Sequence, residues 1–62
     1  MSFEFACEFV HETDNAILIK DPATATEHWI PLSQVDEIHR NPKTKFGTIV
    51  MSDWIADQKG LS

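Results

Sequence analysis

Sixty-two residues with a formal charge of −5 allow one domain, residues 1–62, and a domain of this size buries only about 60% of the surface its unfolded chain exposes. Ten acidic against five basic side chains exclude general coating of DNA or RNA, because phosphate binding rests on neutralising charge with Lys and Arg. No apolar run reaches the roughly 18 residues needed to cross a bilayer, and one cysteine, Cys7, excludes an internal disulfide and fits a reducing compartment.

The N-terminal stretch lacks the basic start and apolar core of a signal peptide, so a cytoplasmic chain with no membrane partner is expected. Burial against chain entropy comes out near zero at this length, which makes a homodimer or a bound protein partner an expected source of stability. Charge is uneven: residues 1–39 carry eight acids and one base, and residues 40–62 carry four bases and two acids.

In chain order, "SFEFACEFVHE" alternates, with Phe3, Phe5, Cys7 and Phe9 on one side and Glu4, Ala6 and Glu8 on the other. Period two predicts a strand with one wet face. "TDN" predicts a turn, because short polar side chains bond their own backbone, and "AILIK" a second, hairpin-paired strand. Asp21-Pro22 stops it, "ATAT" is loop or weak edge, and "EHWI" resumes extended structure.

Pro31 has no amide hydrogen for a sheet ladder, so the strand carrying Trp29 ends there or lies on an edge. Ser33, three residues before Asp36, resembles a cap on a helical turn. Ile30, Leu32 and Val35 then anchor a corner in the core, and Trp29 and Gln34 have polar or apolar surface to spare. "VDEIHR" is ambiguous between strand and helical turn, "NPK" makes a turn, and "FGTIVM" is a strand with Gly47 at a bulge or close approach.

The last element is helical. Ser52 is an N-cap, Asp53 and Lys59 complement the helix dipole, Gly60 suits a left-handed C′ position, and Leu61 folds back on Ile55. Trp54 and Ile55 are expected to face the sheet. Together the elements predict a mainly β fold: a small twisted antiparallel sheet, or a half-open SH3-like barrel, of four to five strands with a short C-terminal helix. An α+β hairpin layer is the alternative.

"AILIK", then "WIPLSQV", then "IVMSDWIADQKGL" resembles a pattern in small proteins of phages, prophages and bacteria, which carry Trp-Ile-Pro-x-Ser-Gln and end in Trp-[Ile/Leu]-Ala-x-x-Lys-Gly-Leu. The resemblance spans about residues 16 to 61. It implies a mobile-element origin and a compact β-rich fold, and no particular activity.

Catalysis is not expected. No Ser or Cys has a base and an orienting group at a known spacing, and glycines at 47 and 60 alone form no phosphate loop. Cys7, His11, His28 and His39 stand 4, 17 and 11 positions apart, which matches no zinc signature, so neither metal nor cofactor is expected. A non-catalytic acidic protein-binding module is the preferred function, acting as inhibitor or adaptor of a host protein. Its expected contacts are Phe3 and Phe5, on a strand whose aromatic, cation-poor edge invites pairing, with Trp29 and Gln34 at the rim. The alternative is a small barrel that binds single-stranded nucleic acid through Arg40, Lys43, Lys45 and the ring of Phe46.

Overall fold

The computed structural model describes residues 2–61, which form strands β1 (Ser2–Glu12), β2 (Ala16–Lys20), β3 (Glu27–Pro31), β4 (Val35–Arg40) and β5 (Phe46–Ser52) and the helix α1 (Asp53–Gln58). A 3-10 turn, Leu32–Gln34, joins β3 to β4. All pairings are antiparallel and the strand order is β3-β2-β1-β5-β4. The sheet is open between β3 and β4, and "VDEIHR" is a strand.

β1 lies at the centre of this order, which corrects the expectation of an N-terminal edge strand. Its partners divide it. β5 pairs with Ser2 through Glu8, β2 pairs with Glu8 through Glu12, and Glu8 alone faces both, opposite Phe46 and Lys20. Strict alternation would turn His11 to the same side as Cys7. A β-bulge between Phe9 and His11 resets the phase, and His11 lies opposite Leu18 while Phe9 lies opposite Ile19.

Cross-strand partners share a face, so the registers sort the side chains. Phe3, Phe5, Cys7 and Phe9 line the inner face with Ile49 and Met51 of β5, Ile38 of β4, and Ile17, Ile19 and Ile30 of β2 and β3. Cys7, Ile17, Ile19, Ile30, Ile49 and Met51 are fully buried. Phe3 and Phe5 are half-buried against this core, their rings stacked with centroids 6.2 Å apart. A face carrying three phenylalanines is the largest apolar strip in the chain, and placing it mid-sheet removes the most apolar area from water.

The corner after β3 has no side-chain cap on its 3-10 turn, contrary to the reading of Ser33. Its backbone is held instead by the Leu32 N–H, which donates to the Asn15 carbonyl in the β1–β2 turn at 2.9 Å. Asp36 is the extra residue of a bulge between Val35 and Glu37, and its carboxylate accepts from the Ser2 hydroxyl at 3.2 Å.

α1 starts and stops as its sequence predicts. The Ser52 hydroxyl accepts from the Ile55 N–H, Gly60 takes φ of 70°, and the Leu61 N–H donates to the Ala56 carbonyl at 2.8 Å while Gly60 N–H reaches that of Asp57. This is a Schellman closure that turns Leu61 onto the core. Ile55 and Ala56 are buried, but Trp54 is 61% exposed, against the expectation that it faces the sheet. Six residues offer one narrow inward stripe, and Ile55 and Ala56 fill it.

Gly47 is a close-approach point. A Cβ there would overlap the His39 carbonyl and come within 2.7 Å of the Phe9 ring. Gly47→Ala is therefore expected to lower unfolding free energy by about 1–3 kcal/mol, the range for overpacking a filled site. A loss in urea unfolding free energy below about 0.3 kcal/mol would show that β4 and Phe9 move aside freely.

Candidate functional site

The sequence-predicted partner residues do not form one surface. Phe3 and Phe5 point inward, and Gln34 is spoken for: its side-chain oxygen accepts from the Ser52 hydroxyl at 2.9 Å, part-buried, tying the corner to the start of α1. Trp29 is the member that stands free, 45% exposed on the edge strand β3.

Around Trp29 the register builds a row across three strands, Trp29 on β3, Leu18 on β2 and His11 on β1, all on the outer face. The His11 imidazole meets the Trp29 ring edge-on, with centroids 6.3 Å apart and planes at 89°. Val10, the residue passed over by the β1 bulge, is exposed too. The next row carries Glu27, Lys20 and Glu8 and ends at Phe46, and further along β1 Glu4 and Glu37 flank Val50. A planar aromatic ring with an apolar body and an indole N–H, set among carboxylates, is chemically suited to a partner that brings an apolar pocket and cations.

Leu18, His11 and Val10 were not legible as neighbours of Trp29, since joining them takes the strand registers and the bulge. One signal was present: Val10 breaks the alternation by placing an apolar residue in the polar phase.

The basic loop is a tight turn between β4 and β5. The Asn41 side chain accepts from Lys43 N–H at 2.9 Å, Asn41 N–H donates to the Phe46 carbonyl, and the Thr44 hydroxyl accepts from Phe46 N–H. Lys43, Lys45 and the half-exposed Phe46 ring are presented to solvent. Arg40 is half-exposed but engaged: its guanidinium pairs with the Glu12 carboxylate and lies over the Phe9 ring, 5.3 Å from the centroid. Arg40 and Glu12 sit on the inner side at the ends of β4 and β1, so the pair spans the two arms of the sheet.

Cys7 is 1% exposed, and burial pushes its thiol up to about 11. Among the described residues no three His, Cys, Asp or Glu side chains converge as a metal site, no pocket is present, and no helix is long and apolar enough to cross a membrane. Comparison with family models, with curated proteins and with solved structures finds no match.

The buried thiol gives an alkaline signature. Unfolded Cys7 ionises near its ordinary 9.0 and folded Cys7 near about 11, so between these values the unfolded state holds fewer protons and stability falls as pH rises. The slope is about 1.4 kcal/mol per pH unit, and stability is unaffected by this group below pH about 9. Urea unfolding at pH 8 and pH 10.5 is expected to show this loss for the native chain and not for Cys7→Ala. Equal losses in both chains would refute it.

Proposed function

We propose that this chain is a small acidic protein-binding module that acts without catalysis, and that its contact surface is the outer face around Trp29. The observation that carries the reading is a tryptophan 45% exposed on an edge strand, braced by His11 and Leu18 and bordered by the Glu27–Lys20–Glu8 row. Interface anchors are typically aromatic side chains that bury a large area on binding at little rotamer cost. The acidic balance of −5 favours a partner with a basic surface and speeds its encounter. The resemblance to phage and prophage proteins supplies the setting: a mobile-element protein in the cytoplasm that inhibits or adapts a host protein. An SH3-like curl of the open sheet belongs to the same proposal.

The decisive experiment immobilises the native chain and Trp29→Ala in parallel and exposes both to a bacterial lysate. A protein retained by the native chain is then titrated against each, following tryptophan emission. The expected outcome is at least about thirtyfold weaker binding by Trp29→Ala, the scale of an anchor worth about 2 kcal/mol. Equal affinity for both chains, or retention of nothing by the native chain, would remove the proposal.

A second reading rests on the exposed Phe46 ring beside Lys45 and Lys43, a stacking surface with two cations for a single strand. Arg40 already faces Glu12, so few phosphates are neutralised, and binding at physiological salt is expected to be weaker than micromolar. Oligonucleotide titration of the native chain and of Lys43→Glu/Lys45→Glu decides it: micromolar affinity abolished by the double substitution would move this reading into first place.

A further inference from the structure

The open sheet has two edge strands of different character. β3 carries Trp29 and ends in Pro31, which has no amide hydrogen to give a neighbour, whereas β4 has neither proline nor lysine. β4 pairs with β5 on one side and, among the described residues, with no strand on the other. Its charges are ordered: Asp36 and Glu37, then Ile38, then His39 and Arg40.

We propose that β4 pairs antiparallel with β4 of a second copy of this chain, about a twofold axis through Ile38, so that two five-stranded sheets become one. The register follows from faces and charges. Partners in an antiparallel pair share a face, and Ile38 points inward while Glu37 and His39 point outward, so a twofold arrangement must be centred on a residue. Centring on Glu37 sets glutamate against glutamate. Centring on His39 sets imidazole against imidazole and Ile38 against Arg40. Centring on Ile38 sets Glu37 against His39 of the other copy, twice by symmetry.

The groups needed are available. The Glu37 and His39 side chains are 65% and 61% exposed and stand 3.7 Å apart within one chain. Two copies would close them into a ring of alternating charge on the outer face, with the half-buried Ile38 side chains meeting on the inner face. Asp36 and Arg40 serve Ser2 and Glu12 within the chain and bound the new ladder without pairing across it. The bulge at Asp36 keeps that ladder short. This edge is separate from the Trp29 face, so either proposal can fail without the other.

The test is mass in solution by sedimentation of the full chain at low salt, from about 10 µM to about 1 mM. The native chain is expected to dimerise. Glu37→Lys and His39→Glu, each alone, convert two opposite-charge pairs to like-charge pairs and are expected to weaken the dimer about tenfold. An equimolar mixture of the two variants is expected to restore association, because opposite charges meet again across the axis. Circular dichroism checks that each variant is folded, and Trp29→Ala is expected to leave the mass unchanged. A native chain that stays monomeric throughout overturns the proposal. So do single variants that dimerise as the native chain does, a mixture that stays monomeric, or a dimer lost in Trp29→Ala.

Discussion

Burial of one face of β1 is the constraint on which the other contacts depend. Phe3, Phe5, Cys7 and Phe9 need cover along the first nine residues, and neither neighbouring strand reaches along all of them: β5 covers the first seven paired positions and β2 begins only at Glu8. The strand therefore serves two arms of the sheet in succession. Gly47 is small because β4 and the Phe9 ring both close over it where the arms meet. The Glu12–Arg40 pair then joins their far ends across the inner side, with Phe9 beneath the guanidinium.

The corner and the helix are tied into this frame by few atoms. One hydroxyl, that of Ser52, both accepts from the Ile55 N–H and donates to Gln34, so the start of α1 and the 3-10 turn are positioned together. The Asn15 carbonyl fixes the other end of that turn through Leu32. Every such bond offsets the ordering of a short segment by about 1 kcal/mol net. In a domain this small two or three such bonds together weigh about as much as one buried core side chain, about 1.5–3 kcal/mol.

Local chemistry was legible in the sequence and long-range order was not. The turn at "TDN", the stop at Asp21-Pro22, the turn at "NPK", the Ser52 cap and the Gly60 closure follow from residues within a few positions of one another, and each is found where expected. The Asp21 carboxylate, for example, accepts from the Ala23 N–H within its own turn. Strand order is set by contacts 38 to 50 residues apart in the chain, as in Ser2 opposite Ser52, and alternation alone cannot say whether an apolar face is central or at an edge. The same gap bears on the candidate contacts: alternation puts Phe3 and Phe5 on a free edge where the sheet has β1 at its centre, and it gives no sign that Gln34 bonds Ser52. Trp54 faces away from the core for a local reason, since a six-residue helix has too few turns for its sequence pattern to define a face.

The pairing of β1 with β5 also governs how this chain must acquire its structure. The strand made first waits for the strand made last: synthesis has to reach the end of β5 before Phe3 and Phe5 gain their neighbours Met51 and Ile49. β1 and β2 can close early as a local hairpin, but they leave the N-terminal half of β1 uncovered. Folding dominated by such distant partners is slow relative to helical domains of similar length, because loop closure must precede the contacts that reward it. On the ribosome, therefore, the Phe-rich segment is the interval of greatest exposure to aggregation and to chaperones.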